Sequence, residues 1–250
     1  MRAISASQLL EIWERGLSQP PLQRALLLLA AAYPDSSLEA LSALPIGQRD
    51  SRLLSLREVT FGSNLQSLAT CPACHERLEL NFEVADLRGV ASNLGGEEVV
   101  DPEMVLSLAV AGFNLTFRLP DSQDLAMVSG DSAADYRNKL LRRCLLEAKK
   151  KGKKVAVEQL PEKVFEAIEN RMAEADPQAN LQIDLTCPAC EHRWQATFDI
   201  FSYLWKEIDA WAQHILREVH VLASNYGWHE KDILAMNPLR RQIYLEMILG

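Results

Sequence analysis

The chain has 250 residues, and its acidic side chains outnumber the basic ones, which gives a formal net charge of −8. A composition of 48% hydrophobic and 24% charged residues is that of an ordinary globular protein, with room for one large domain or two small ones. The negative charge argues against nucleic acid as the main partner, because such affinity comes chiefly from neutralising phosphates. The longest apolar run, Ala25 to Ala32, is too short to span a bilayer and lies too far along the chain for a secretory signal.

Residues 1–66 are predicted to form an N-terminal helical region that packs its own core. Serine or proline stands before three of its apolar segments, and Gly16 and Gly62 follow two of them, as expected for helix starts and ends. The predicted helices cover residues 8–15, 22–32, 38–44 and 48–60. No acid–base pair or nucleophile constellation is present in this region.

The next segment, residues 67–90, contains the first of two copies of one short sequence motif, which we call the cysteine phrase. Thr70-Cys71-Pro72-Ala73-Cys74 recurs 116 residues later as Thr186-Cys187-Pro188-Ala189-Cys190, within the segment 181–200. Each copy runs into a stretch with apolar residues at every second position, 78–84 and 194–200, which predicts a strand.

A Cys-x-x-Cys turn followed by a strand is typical of one half of a zinc ribbon. Two halves supply four thiolates, the tetrahedral soft-ligand set that structural zinc prefers. The sequence therefore predicts one zinc ion (Zn²⁺) per chain, shared by Cys71, Cys74, Cys187 and Cys190. Such a site is closed, with no open coordination position for catalysis.

Other uses of these cysteines remain open alternatives. A redox pair usually opens a helix, whereas a strand is predicted after both copies. A pair of disulfides requires an oxidising compartment, and nothing in the sequence marks the chain for export, so we expect a reducing cytoplasm. His75 and His192 lie beside the cysteines and as ligands would create two separate sites. They stand at different offsets from their cysteines, so we expect neither to bind metal.

Residues 100–180 are predicted to be an inserted region between the two cysteine phrases. The polar, glycine-bearing stretch 86–101 leads into it as a loop. Alternating apolar residues on either side of Ala111-Gly112 predict a β-hairpin over 105–119. Three helices are then expected, from Asp121 or Ser122 towards residue 128, over 133–151, and over 162–175. Cys144, in the second of these helices, is expected to be buried and inert.

A basic run ends that second helix. It comprises Arg142, Arg143 and five lysines between positions 149 and 154, with Glu147 as the single acid. Such a run can bind nucleic acid or an acidic partner. The pattern favours instead a solvated helix end terminated by Gly152, since lysines stabilise the negative pole of a helix and no aromatic residues are interleaved.

The C-terminal helical region, residues 201–250, begins with the longest amphipathic pattern in the chain. Its apolar residues, from Leu204 to Leu222, recur every three or four positions and predict a helix of about five to six turns. Gly227 is expected to end it. A short helix over 232–236 and a last helix opened by Asn237-Pro238 should follow.

This region also carries a recognisable set of residues: Tyr226-Gly227-Trp228, Ile233 to Met236, Arg240-Arg241 and Tyr244. The set resembles a signature of tail and baseplate proteins from contractile phage-like machines, and the wider pattern is similar to the T4-type baseplate hub family. That family includes a hub subunit and a hub assembly chaperone, and its members also occur in gene clusters for extracellular contractile injection systems. The resemblance is firmest from Ile200 onwards. Residues 117–125 and 173–177 are similar to a zinc-containing branch, whereas the smaller T4 proteins are expected to lack the cysteine phrases.

The resemblance implies a non-catalytic protein without a small-molecule substrate. It would be a structural component of the baseplate or hub of a contractile injection apparatus, or an assembly chaperone, in the cytoplasm or in a phage tail-like particle. Its partners would be other baseplate proteins, and aromatic, Met and Arg residues are enriched at interface cores. The expected partner-binding residues are Tyr226, Trp228, Ile233, Met236, Arg240 and Tyr244. Tyr226, Trp228 and Met236 could equally pack the core of their own helical hairpin. Residues 225–229 are expected to form an ordered turn.

The predicted fold class is α+β: mostly helical, with a small zinc-ribbon β-unit formed by two Cys-Pro-Ala-Cys knuckles and an inserted β-hairpin. The alternative function is a zinc-ribbon nucleic-acid-binding or transcription-associated protein, which the lysine cluster supports and the net charge opposes. A metalloenzyme ranks last, because four thiolates fill the coordination sphere.

Overall fold

The computed structural model of the chain describes residues 1–92, 105–128 and 132–249. The chain divides into two compact units, one formed by Met1–Ser36 with Ile200–Gly250 and the other by Ser37–Asp199. Both cysteine phrases lie in the second unit. The predicted fold class, α+β and mostly helical, is confirmed.

Eleven helices and eight strands occur along the described residues. The helices are α1 (Ala6–Gly16), α2 (Pro21–Ala32), α3 (Leu38–Ser42), α4 (Ile46–Phe61), α5 (Val84–Ser92), α6 (Ser122–Met127), α7 (Ala133–Cys144), α8 (Glu162–Ala175), α9 (Ile200–Tyr226), α10 (Glu230–Leu234) and α11 (Pro238–Leu249). The strands are β1 (Asn64–Thr70), β2 (Arg77–Glu83), β3 (Val105–Val110), β4 (Phe113–Arg118), β5 (Leu145–Lys150), β6 (Lys153–Lys154), β7 (Gln182–Thr186) and β8 (Arg193–Thr197). No helix among these residues is both long and apolar enough to cross a membrane.

The first unit is built on α9, whose buried side chains recur every three or four residues as the sequence predicted. Helices α1, α10 and α11 contribute Leu10, Ile233 and Leu245 to the core that α9 lines. Helix α1 ends at Gly16, as predicted, and a Cβ there would also lie 2.3 Å from the ring of Trp205. Glycine is therefore required by the close approach of α1 to α9.

In the second unit, an antiparallel sheet in the order β3-β4-β5-β6 packs against helices α7 and α8. Leu106 and Phe117 from the sheet meet Leu141 from α7 and Ile168 from α8 in one core. The predicted hairpin of β3 and β4 is present. Its two turn residues, Ala111 and Gly112, both have positive φ, as a two-residue hairpin loop of this kind requires.

The predicted helix over 133–151 is wrong in its second half. Helix α7 ends at Cys144, and residues 145–150 form β5, in which Ala148 pairs with Leu115 of β4. The chain then reverses at Lys151 and Gly152, with φ of 50° and 77°, into β6. Pairing with β4 and burial of Ala148 against the core override the helix propensity of this leucine-, glutamate- and lysine-rich stretch. The five lysines of the basic run consequently lie in a β-hairpin, whereas Arg142 and Arg143 do lie in the last turn of α7.

The predicted loop over 86–101 is also partly wrong, because residues 86–92 belong to α5. Val84 and Leu87 of this helix are buried, and the Asp86 carboxylate accepts the Glu83 N–H at 2.8 Å near its start. The rest of the predicted loop lies outside the described residues.

The strands predicted after the cysteine phrases are present as β2 and β8. Each pairs with the strand before its phrase, so the cysteines lie at the turns of two separate hairpins, β1–β2 and β7–β8. The second predicted strand is shorter than expected, since Ile200 begins α9. The β3–β4 hairpin belongs to the four-stranded sheet and not to either cysteine hairpin.

Candidate metal centre

The first cysteine turn, residues 71–76, is closed by its own backbone. The Cys71 N–H donates to the Glu76 carbonyl at 2.8 Å, and the His75 N–H donates to the Cys71 carbonyl at 3.0 Å. His75 adopts a positive φ of 62°. We call this turn the first knuckle.

The second knuckle, residues 187–192, repeats that geometry. The Cys187 N–H donates to the His192 carbonyl at 2.9 Å, and the Glu191 N–H donates to the Cys187 carbonyl at 2.9 Å. Glu191, at the position equivalent to His75, has a φ of 58°. The sequence repeat is therefore a repeat of backbone structure, with one cysteine at the base of each turn and one at its tip.

The two knuckles bring the four thiols together. Cys71 Sγ lies 3.7 Å from Cys190 Sγ, and Cys74 Sγ lies 3.5 Å from Cys187 Sγ. All four sulfur atoms lie within 4.8 Å of one another. A tetrahedral ion with metal–sulfur bonds of about 2.3 Å places its sulfur ligands about 3.8 Å apart, so the cluster fits one such ion.

Equivalent residues of the two knuckles meet each other. The first cysteine of each phrase contacts the second cysteine of the other, a reciprocal pattern typical of two-fold related surfaces. Phe82 and Phe198, also equivalent, contact edge to face at 5.6 Å. Leu78 packs with Trp194 and the two buried cysteines in one small apolar cluster. The knuckles therefore face each other with the sulfur atoms between them.

The surroundings of the thiols shift the pKa values of Cys71 and Cys74 in opposite directions. Burial opposes ionisation of Cys71, but the backbone N–H groups of Cys74 and Ala73 outweigh it and lower the pKa of Cys71 to about 7. The backbone N–H of Glu76 favours the Cys74 thiolate, yet the thiol of Cys190, burial and the thiol of Cys187 together raise the pKa of Cys74 to about 12. Four thiolates this close repel one another, and a bound divalent cation would remove that repulsion.

Other candidate ligands lie outside this group. Among the described residues, the four cysteines are the one cluster of three or more metal-ligand side chains, and neither His75 nor His192 belongs to it. The His192 ring stacks on Trp194 at 6.0 Å. Cys144 is buried in the core beside the sheet, where burial and the Asp124 carboxylate raise the pKa of its thiol to about 12.

The predicted partner-binding residues cluster around the end of α9. Gly227, with a φ of 68°, donates its N–H to the Ala223 carbonyl and closes the helix. Tyr226 then stacks on Trp228 at 4.4 Å, and Tyr244 of α11 lies edge-on to Trp228 at 4.8 Å. These rings are held in fixed positions by one another, in the ordered turn that the sequence predicted.

Five of the six predicted partner-binding residues keep exposed surface. Tyr226 and Arg240 are exposed, and Trp228, Met236 and Tyr244 are half-buried. Ile233 is fully buried in the core that α9 lines and offers no surface.

Sequence reasoning missed an exposed apolar stripe on α11. Leu239, Ile243 and Met247 are 71%, 43% and 68% exposed and lie four residues apart, on one side of the helix. Their spacing was visible in the sequence. Leu245 and Ile248 of the same helix pack against the core, however, so apolar residues occur around much of α11 and the pattern does not show which side is buried.

A family model described as T4 bacteriophage base plate protein matches residues 18–204, about three quarters of the chain. The matched span includes both knuckles and the four-stranded sheet, and it ends near the start of α9. It leaves out most of the C-terminal region, in which the resemblance by sequence was firmest. Comparisons with curated proteins and with solved structures found no match.

Proposed function

The chain belongs to the family of T4 bacteriophage base plate proteins. From that membership we propose that the protein is a structural part of a phage tail-like injection machine or a factor that assembles it. In this proposal the protein is a component of the baseplate or hub of a contractile apparatus, or the chaperone of that hub. The family match over residues 18–204 carries the proposal. Its partners would be other baseplate proteins, and its role would be non-catalytic.

The metal that we propose for the two knuckles is zinc, one ion per chain, in a zinc-containing branch of the family. Four thiolates at tetrahedral spacing suit zinc or an iron–sulfur centre, and a closed set of protein ligands is typical of structural zinc. Cys71, Cys74, Cys187 and Cys190 would hold the ion. Because they come from segments 116 residues apart, metal binding would contribute free energy to folding.

Replacement of Cys187 by Ser tests the metal site. The purified chain should contain one zinc ion, and Cys187→Ser should lose it and melt at least about 10 °C lower, since several kcal/mol of binding free energy are lost. Elemental analysis and thermal unfolding measure both effects. Cys144→Ser is the matched control and should keep the zinc. Two zinc ions per chain, iron in place of zinc, or an unchanged melting temperature for Cys187→Ser would contradict the shared zinc site.

The partner-binding surface that we propose includes Tyr226 and Arg240 with the exposed stripe of Leu239, Ile243 and Met247. Aromatic, Met and Arg side chains are enriched at interface cores, and a contiguous exposed apolar stripe on a globular protein commonly marks a contact surface. The half-buried Trp228, Met236 and Tyr244 would contribute their exposed edges.

An aspartate on the stripe tests this surface. Met247→Asp should fold with unchanged stability because the side chain is exposed, yet co-purification with other baseplate proteins should fall at least about ten-fold, since a buried charge opposes the contact. Met127, which is 73% exposed on α6, supplies the matched control Met127→Asp. Equal assembly of the two variants would contradict the proposed partner-binding surface and would have no bearing on the proposed zinc site. The protein composition of finished particles then distinguishes a permanent component from a chaperone that leaves.

A further inference from the structure

The end of strand β5, the following turn and β6 concentrate positive charge at one end of the four-stranded sheet. Five of the six residues from 149 to 154 are lysines, and we call this segment the lysine hairpin. Lys149 pairs with Lys154 and Lys150 with Lys153 across the two strands. A two-residue turn, Lys151-Gly152, holds the tip in a defined conformation. Successive strand residues point to opposite faces of a sheet, so Lys149 and Lys154 share one face and Lys150 and Lys153 share the other, with Lys151 in the turn between them.

One acidic residue within the chain neutralises part of this positive charge. Glu147 contacts Lys149 at 2.5 Å and Lys154 at 3.5 Å. The Lys150 ammonium lies over the Phe113 ring at 4.5 Å. Within the described residues, Lys150, Lys151 and Lys153 make no ion pair with an acid, and all three are exposed.

One of the two lysine pairs is unfavourable in the isolated chain. Like charges directly opposite each other on neighbouring strands destabilise a sheet. Glu147 offsets this repulsion between Lys149 and Lys154, whereas Lys150 and Lys153 have no acidic partner among the described residues. A negatively charged partner bound to the hairpin would convert this repulsion into attraction. The arrangement is therefore better explained by binding than by stability of the hairpin.

Protection of a sheet edge explains only some of the lysines. Charged side chains on an edge strand prevent edge-to-edge aggregation, and β6 is an edge of this sheet. Lys153 and Lys154 satisfy that need. Lys149 and Lys150, however, lie on β5 between two paired strands, and Lys151 lies in the turn.

We propose that the lysine hairpin docks onto an acidic protein surface, a partner that presents a cluster of carboxylates. Without the five lysines, the net charge of −8 becomes −13 for the rest of the chain. A long polyanion such as DNA would extend past the hairpin and meet that negative charge. A compact carboxylate cluster interacts only within the Debye length of about 8 Å and meets the lysines alone. The Phe113 ring, moreover, is buried and offers no surface on which a base could stack.

Charge reversal with a charge-matched control tests the proposal. The hairpin variant combines Lys150→Glu, Lys151→Glu and Lys153→Glu, and the control combines Lys163→Glu, Lys206→Glu and Lys231→Glu at exposed positions elsewhere. Both variants have the same net charge. Glutamate also keeps the edge strand charged, so protection against aggregation is retained. Circular dichroism and melting temperature should first show that both variants are folded.

The probes are a fluorescein-labelled oligoglutamate peptide and labelled single- and double-stranded oligonucleotides, with binding measured by fluorescence anisotropy at increasing salt. We expect the unmodified chain to bind oligoglutamate in a salt-sensitive manner, the hairpin variant to bind at least about ten-fold more weakly, and the control within about two-fold. Equal losses in the two variants, or no binding of oligoglutamate at low salt, would overturn the proposal. Tighter binding of an oligonucleotide than of oligoglutamate, lost in the hairpin variant, would assign the surface to nucleic acid instead. None of these results depends on the zinc site or on α11.

Discussion

At the scale of single residues, a fully buried carboxylate joins three elements of the second unit. Asp124 on α6 accepts hydrogen bonds from Arg118 of β4 at 2.5 and 2.8 Å and from Arg143 of α7 at 3.1 Å. Burial opposes its charge, but Arg118 and the Asp121 N–H outweigh burial and lower the pKa of Asp124. A carboxylate with a lowered pKa adds stability that is complete above its ordinary pKa and is lost as the pH falls through the folded value.

Asp124→Asn should therefore destabilise the protein by about 3 kcal/mol at pH 7, because two arginines lose their buried partner. Below about pH 4 the difference should shrink, since Asp124 of the unfolded chain takes up a proton first, and folding must then release it until the pH falls below the lowered pKa. Urea unfolding at pH 7 and near pH 3 measures the two values. Asp135→Asn, which removes an exposed i,i+4 pair with Lys139, is the control and should cost less than about 1 kcal/mol. A loss of the same size at both pH values would contradict the assigned role.

At the scale of elements, the turn from α9 to α11 depends on three aromatic rings. Tyr226, Trp228 and Tyr244 contact one another in pairs, at centroid distances of 4.4, 4.8 and 5.7 Å. Trp228 and Tyr244 also pack against the core of the first unit. The rings thus fix the path of the chain into α10 and α11, in addition to any contact that Tyr226 makes with a partner.

Trp228→Ala should cost about 2 kcal/mol, roughly half the value for a fully buried tryptophan, because the ring is half-buried and loses its aromatic contacts. For a chain of this length, the melting temperature should fall by about 4–8 °C. Leu239→Ala, on the exposed side of α11, should stay within about 0.5 kcal/mol of the unmodified protein. Zinc content should be the same in both variants, since the knuckles lie in the other unit. If Trp228→Ala is as stable as Leu239→Ala, the rings do not hold the turn.

At the scale of the whole molecule, the two units are assembled from the sequence in different ways. The first combines the two ends of the chain, and the second is one continuous segment that contains both knuckles. The family match covers the whole of the second unit, α2 and the first residues of α9. The proposed zinc ion would therefore stabilise the second unit and leave the helices of the first unaffected.

Removal of zinc by a strong chelator tests this division. Hydrogen exchange followed by mass spectrometry should show faster exchange in β1, β2, β7 and β8, because the ion no longer holds the two hairpins together. Helices α9 to α11 should keep their protection. Equal loss of protection throughout the chain would show that the metal stabilises both units, and no change in any strand would argue against a structural ion.

The sequence by itself determined the features that a few neighbouring residues encode. The Cys-x-x-Cys phrases predicted the knuckles and the strands after them, since ligand spacing and alternation are local properties. Turn and capping chemistry likewise predicted the hairpin at Ala111-Gly112 and a start of α6 at Asp121 or Ser122. In the structure the cap is Asp121, whose side chain accepts the Asp124 N–H. The bounds of α8 also agree with the prediction, because Pro161 stands directly before the helix and the apolar period lies within it.

Only the tertiary structure decided the features that depend on a distant neighbour. Residues 145–150 form a strand because β4 offers an unpaired edge and the core accepts Ala148, and neither fact is contained in the local pattern. The same dependence decided which stripe of α11 is buried, since α9 covers one side of a helix that is apolar around much of its circumference. Cys71 contacts Cys190 and Cys74 contacts Cys187 only because two hairpins, more than a hundred residues apart in sequence, face each other in the folded chain. Local chemistry specifies the parts, whereas burial and pairing between segments distant in sequence select among the conformations that local chemistry allows.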